Sequence, residues 1–348
     1  MSVRSRLTFT QSNIFSDQVF FLQEIFLTVK GQLPANKTGT SVILYAIKGV
    51  KCFSKGENAT NLLIFSISSY MKIFNLQSSI GNLQFKGGLR KMISVGIDCG
   101  AKNTKTVILK DGELVGKGAA LTGFDQEFAV NKSLETALEN AGISRDQVEK
   151  VGGTGSGKAA IKMADLQVND IKAMAKGANY FFPKARTVAD VGAEEGRAVK
   201  INEKGNVVDF AINEKCAAGA GAFIEAMARA LETSLEDMGP LALKSDKEIP
   251  MNAQCAIFAE SEVVGLIHAK TEKQDISKAI HDAMASRIVS MIRRVGVNDD
   301  VVIIGGVGRN PGFVQSMKRE LKVKDLYIPD EPDFGAATGA AVVAAEEA

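Results

Sequence analysis

Two cysteines, Cys216 and Cys255, stand 39 residues apart among small residues. The first opens Lys215-Cys216-Ala217-Ala218-Gly219-Ala220-Gly221, and the second lies in Asn252-Ala253-Gln254-Cys255-Ala256. Thiolates are soft metal ligands, and two of them are half the complement of a four-cysteine centre. If both face an interface, two chains complete one site. A structural zinc usually shows close C-x₂₋₄-C pairs, which this spacing lacks. Cys99 reads as a small residue in a tight turn, and Cys52 carries no signal. Four cysteines in 348 residues are too few for a disulfide scaffold. Without the charged–apolar–cleavage order of a secretion signal, a reducing cytoplasm is the expected location.

A second set of residues has phosphate chemistry. Asp98-Cys99-Gly100-Ala101-Lys102-Asn103-Thr104-Lys105 follows a short apolar run and reads as a tight turn. Gly100 permits close backbone approach, and the turn's N–H groups with Lys102, Asn103, Thr104 and Lys105 can cradle phosphates. Asp190-Val191-Gly192-Ala193-Glu194-Glu195 repeats the pattern. Asp98 and Asp190, facing each other across a nucleotide's phosphates, would hold Mg²⁺ directly or through water. Glu194 or Glu195 is a candidate for orienting the attacking water, with Glu194 and Asp190 the catalytic pair. Gly305-Gly306-Val307-Gly308 supplies a third glycine-rich turn. Gly152 to Lys158 matches G-x-x-x-x-G-K, but Ala159 stands where a P-loop needs Ser or Thr, so it reads as a glycine-rich connection near the cleft.

The elements that must position these turns also repeat. Ile93–Ile97 is a buried-strand pattern ending at Asp98; Thr106–Leu109, the turn Asp111-Gly112 and Glu113–Gly116 form a hairpin. Thr187–Ala189 ends at Asp190, and Arg197–Ile201, Lys204-Gly205 and Val207–Ile212 form the matching hairpin. The offset is about 92 residues, an internal duplication that predicts two related α/β domains facing a cleft. Helices are predicted over Glu127–Asn140, Asp170–Tyr180, Ala222–Leu231, Ala256–His268, from Asn310-Pro311 onward, and over Gly335–Glu347, with strands over Val148–Gly152 and Val301–Ile304. His268 and His281 read as partly exposed helix positions. The expected division is an N-terminal extension 1–91, domain I over 92–185, and domain II over 186–348 carrying the cysteine motifs, its last helix returning to domain I.

In this order, the three glycine-rich turns resemble the phosphate and adenosine motifs of the acetate-kinase, sugar-kinase, heat-shock-protein-70 and actin superfamily. With Asn213–Gly221 and Met251–Glu262, residues 92–348 resemble the BadF/BadG/BcrA/BcrD ATPase family, which includes 2-hydroxyacyl-CoA dehydratase activators and benzoyl-CoA reductase ATPase subunits. The resemblance implies two ribonuclease-H-like domains around a nucleotide cleft. ATP and Mg²⁺ would lie on Asp98, Gly100, Lys102, Asn103, Thr104, Lys105, Asp190, Gly192, Gly305, Gly306 and Gly308. It also implies one [4Fe–4S] cluster bridging two ATPase subunits, held here by Cys216 and Cys255 of each, and an acyl-CoA-binding partner that receives the electron. Asp190-Val191-Gly192-Ala193-Glu194-Glu195-Gly196-Arg197 departs from the activators' usual Gly-Gln-Asp. It looks closer to the smaller, D-type ATPase of benzoyl-CoA reductase, which is the function expected from the motif, with the dehydratase activator as the alternative.

Residues 1–91 hold eleven Lys and Arg against three Asp and Glu, whereas 92–348 hold 31 against 37. The larger segment therefore lacks the basic signature of a nucleic-acid binder. No apolar stretch of the sequence reaches the roughly 18–20 residues that span a bilayer. Short apolar runs without a sustained period make the first 91 residues unlike a domain. Lys86-Gly87-Gly88 can be encoded by a purine-rich ribosome-binding sequence, so Met92 is expected to be the native start. Two further readings stay open at this stage: a sugar or acetate kinase without a cluster, and an actin-like filament former.

Overall fold

The computed structural model describes residues 92–213, 220–251, 255–298, 300–323 and 325–348, all within one contact unit, Gln77–Ala348. Cys216 and Cys52 lie outside the described residues. The first half runs β1 (Ile93–Cys99), β2 (Asn103–Lys110), β3 (Glu113–Leu121), α1 (Gln126–Ala141), β4 (Lys150–Thr154), β5 (Leu166–Gln167) and α2 (Asp170–Phe181). The second runs β6 (Thr187–Val191), β7 (Gly196–Ile201), β8 (Val207–Asn213), α3 (Ala220–Ala230), α4 (Leu235–Ala242), α5 (Ala256–His268), α6 (Lys273–Val295), β9 (Asp300–Ile304), α7 (Pro311–Leu321), β10 (Asp325–Tyr327) and α8 (Gly335–Glu346).

The two sheets have one topology. The first is ordered β3-β2-β1-β4-β5, and the second, read from the same side, β8-β7-β6-β9-β10. In each, two antiparallel pairings are followed by two parallel ones. The duplication expected from the repeated strand–Asp–hairpin pattern is thus present as two sheets of the same design, an α/β fold of the ribonuclease-H-like kind. The hairpin turns form where the sequence places them. Asp111 and Gly112 take φ of 54° and 80°, as a type I′ turn requires, and Gly205 has φ of 69°. The central strands are apolar runs buried on both faces, the pattern of strands covered by helices on each side.

Helix boundaries follow local capping. Asp125 accepts the N–H of Phe128 at the start of α1, and Gly142 ends it in the left-handed region. Asn310 accepts the N–H groups of Gly312 and Phe313 ahead of Pro311 at the start of α7. α1 covers one face of the first sheet, with Val130, Leu134 and Ala137 packed on Val95, Ile97 and Ile108. α6 and α3 cover one face of the second.

The other faces are covered crosswise. α2 packs Ile171, Met174, Ala175 and Ala178 on Val188, Val199 and Val302 of the second sheet. α8, the last helix, packs Ala337 and Ala341 on Val107 and Leu109 of the first. The two helices cross without side chains between them: a Cβ on Gly339 would lie 1.7 Å from the carbonyl oxygen of Ala173, and one on Gly177 1.9 Å from that of Gly335. Only glycine permits that approach. The crossing ties each half to the helix of the other.

Some expectations shift. Asn103, Thr104 and Lys105 are the first residues of β2 rather than part of a free turn. The strand expected over 148–152 runs from Lys150 to Thr154. α4, α6 and the short strands β5 and β10 are not legible in the apolar pattern. His281 is fully buried in α6, its Nδ1 2.6 Å from the carbonyl of Ser277, while His268 is exposed at the end of α5.

Candidate nucleotide site

β1 and β6 lie at matching places in the two sheets, and each carries an aspartate at its end. A cavity of about 690 Å³ opens where these strand ends and their turns meet. Asp98, Gly100, Lys102, Asn103, Lys105, Asp190, Gly192, Glu194, Gly305 and Gly306 all line it. Two residues assigned to the nucleotide do not. Thr104 is fully buried and hydrogen-bonds Thr122 and Cys99, because alternation along β2 turns it away while Asn103 and Lys105 face the cleft. Gly308 packs against Pro332 and Ile303.

The two turns carry the same charge pairing. Asp98 is the cross-strand neighbour of Lys105, and Asp190 that of Arg197, seven residues on in both halves. Lys105 Nζ lies 3.6 Å from Asp98, and Arg197 Nη1 donates to Asp190 at 3.2 Å. Burial pushes both aspartates above the usual carboxylate range, against the pull of Lys105 on one and Arg197 on the other. The cleft floor therefore holds buried carboxylates with incomplete compensation. Hard oxygen donors of this kind fit the Mg²⁺ ion of a nucleotide complex, and it is the ion that would supply the missing positive charge.

The structure adds a carboxylate that the motifs do not mark. Asp170, at the first turn of α2, accepts the N–H of Gly155 at 2.8 Å and the hydroxyl of Thr154 at 2.9 Å. Arg197 Nη2 lies 3.7 Å away, and Lys158 Nζ 3.6 Å. Burial works against ionisation of Asp170, but the Gly155 and Thr154 donors with Lys158 and Arg197 outweigh it and hold the carboxyl below its ordinary range. Arg197 thus faces Asp190, Asp170 and Glu195 together. Its own charge is favoured by these three despite burial. Glu195 is spent on Arg197, whereas Glu194 is exposed to the cavity.

Gly152–Lys158 is the first half's version of the third glycine turn. Thr154 neighbours Asp98 in the β1–β4 pairing as Ile304 neighbours Asp190 in β6–β9, so Gly155 corresponds to Gly305. The P-loop look-alike is one of two matched connections, leading into a short 3₁₀ turn at Lys158–Ala160 rather than an α-helix.

Residues 95–344 match the BadF/BadG/BcrA/BcrD ATPase family. The chain belongs to this family. The activator of lactoyl-CoA dehydratase from Anaerotignum propionicum is 35% identical over 74% of this chain and 99% of its own length. The activator of 2-hydroxyisocaproyl-CoA dehydratase from Clostridium difficile, solved with bound ADPNP, superposes with a TM-score of 0.69 at 33% identity, covering 74% of this chain and 95% of that one. A benzoyl-CoA reductase ATPase-family relative from Thauera aromatica, the D component of that enzyme, is 29% identical over 72% of this chain and 92% of its own length.

Of the cysteine pair, Cys255 is described. It is the N-cap residue of α5, half-buried, at the end of the helix whose first backbone N–H groups have no partner within the helix itself. A thiolate there is favoured by the helix dipole by about 0.3–1 kcal/mol. Beside it α5 exposes Ile257 and Phe258, at 73% and 65%. Among the described residues, which do not include Cys216, no group of three or more metal-ligating side chains converges. Among them also, no helix is long and apolar enough to cross a membrane.

Proposed function

We propose that this chain hydrolyses ATP to drive a low-potential electron into an acyl-CoA-processing partner, as a 2-hydroxyacyl-CoA dehydratase activator does. The observation that carries the reading is a backbone tie between the second phosphate turn and α3. Gly221 N–H donates to the carbonyl of Gly192 at 3.1 Å, and Ala222 N–H to that of Ala193 at 2.9 Å. α3 begins four residues after Cys216. A change in the turn on nucleotide binding or hydrolysis is therefore handed to α3, whose first residue follows Cys216 by four in the sequence.

In this reading Asp98 and Asp190 orient a Mg²⁺–nucleotide, and Gly100, Lys102, Asn103 and Lys105 hold its phosphates. Glu194 faces the cavity and orients the attacking water. Cys216 and Cys255 of two chains hold one [4Fe–4S] cluster, which when bound supplies one-electron chemistry at low potential. The small residues around Cys216 and the exposed apolar start of α5 suit close approach of a second ATPase chain.

The activator reading is favoured over the reductase by the higher identity to the activator relatives, 35% against 29%. The Glu194-Glu195 pair and Arg197 favour the benzoyl-CoA reductase type as a second reading, since the motif departs there from the activators' Gly-Gln-Asp. ATP consumption decides between them. ATP used in catalytic amounts, one electron starting many turnovers of a dehydratase, supports the activator. ATP consumed in proportion to substrate reduced supports the reductase. A colourless, iron-free protein that phosphorylates a small molecule would overturn both.

A further inference from the structure

The nucleotide reading assigns Lys102 to phosphate, yet Lys102 already has a partner. Its Nζ lies 2.6 Å from Glu225 Oε2, on α3. The pair crosses the cleft: Lys102 belongs to the first phosphate turn, and Glu225 to the helix whose first N–H groups are spent on the second. α3 is thus fixed to one turn by backbone and, among the described residues, tied to the other by the Lys102–Glu225 ion pair. A Cβ on Gly221 would lie 2.9 Å from Ala193 Cα, so the backbone attachment has no slack. The ion pair does: both side chains are partly exposed, at 44% and 38%. Glu225 also has a second cation within its own helix, Arg229, 4.0 Å away.

We propose that Lys102–Glu225 is a latch that nucleotide phosphate displaces, with Glu225 the positioning residue that competes for Lys102. Resting on the nucleotide reading above, it adds the contact through which the first turn acts on α3. A polyphosphate carries more negative charge than one carboxylate and draws Lys102 off Glu225, which falls back on Arg229. The tie between α3 and the first turn is then released, while the tie to the second remains. The ligand class the latch responds to is therefore a phosphorylated nucleotide and not the nucleoside.

The test is calorimetric titration of the full chain with MgATP, MgADP and adenosine. Exposed ion pairs contribute about 0.2–1 kcal/mol, so Glu225→Gln is expected to tighten MgATP by about 1.4- to 5-fold at low salt. The gain should shrink at high salt, because screening already weakens the pair. Adenosine affinity should not change. In a Lys102→Gln background, Glu225→Gln should have no further effect, the non-additivity of two residues in contact. Arg229→Gln, an exposed change that leaves Glu225 to Lys102 alone, should shift MgATP affinity the other way. Unchanged or weaker MgATP binding by Glu225→Gln, or additive effects in the double variant, overturns the latch. Absence of MgATP binding by the unaltered chain overturns the nucleotide reading itself, and the latch with it.

Discussion

Gly155 and Gly305 stand in the same place in the two halves: a Cβ on either would lie 2.5 Å from the Oδ1 of the strand-end aspartate beside it, Asp98 for one and Asp190 for the other. Their φ values, +93° and +89°, lie where side-chain-bearing residues are strained. The two aspartates are seated by the absence of a side chain at these positions.

Alanine at either glycine is therefore expected to cost about 1–3 kcal/mol in backbone strain alone and to push the aspartate from its place. Thermal unfolding and MgATP titration of Gly155→Ala and Gly305→Ala should show both lower stability and weakened binding. Gly306→Ala is the control, since its Cβ would meet nothing within 4 Å. Stability in that variant should stay within about 0.5 kcal/mol of the unaltered chain. Equal tolerance of all three would mean that the glycines do not seat the aspartates.

Asp170 gives a pH dependence with a definite sign. Its folded carboxyl sits below the ordinary range, so it stabilises the fold above its unfolded value of about 4, and that contribution is lost as pH falls through the folded value. Asp170→Asn should be less stable than the unaltered chain at neutral pH, and the gap should close below about pH 4. Denaturant unfolding of both proteins across that range measures it. A gap that does not vary with pH would assign the loss to packing instead of charge.

Glu194 and Glu195 separate by role. Glu194→Ala should slow ATP hydrolysis by about 10²-fold with little change in KM, the scale for a group acting on the reacting water. Glu195→Ala should leave kcat largely intact and mainly tighten nucleotide affinity, because it removes a negative charge from the cavity and frees Arg197 from one of its three carboxylates. Steady-state ATPase kinetics distinguish them; unaltered kcat in Glu194→Ala would remove that residue from the chemistry.

What pattern reading can reach is local. The strand ends beside Asp98 and Asp190, the hairpin turns at Gly112 and Gly205 and the cap at Asn310 each depend on a few neighbouring residues; the turns and the cap form where expected, and both strands run one residue past their aspartate. Thr104 reads as a phosphate residue because a turn and the first residues of a strand share composition, while their side-chain directions differ. Asp170 does not read as a site residue because its partners, Gly155 and Arg197, are 15 and 27 residues away and meet it only once the sheets are assembled. Glu225 reads as an ordinary polar position on an amphipathic helix until the cleft brings Lys102 to it. The resemblance to the family extends over both cysteine motifs, of which Cys216 lies outside the described residues.

The proposed cluster is shared by two copies of this chain, or by this chain and a relative, and is served by the ATPase cycle. Anaerobic purification with iron, sulfide and native-mass measurement tests it most directly. About four irons and four sulfides per two ATPase chains are expected, lost in both Cys216→Ser and Cys255→Ser. Iron retained by either variant, or an iron-free protein after anaerobic purification, would contradict it.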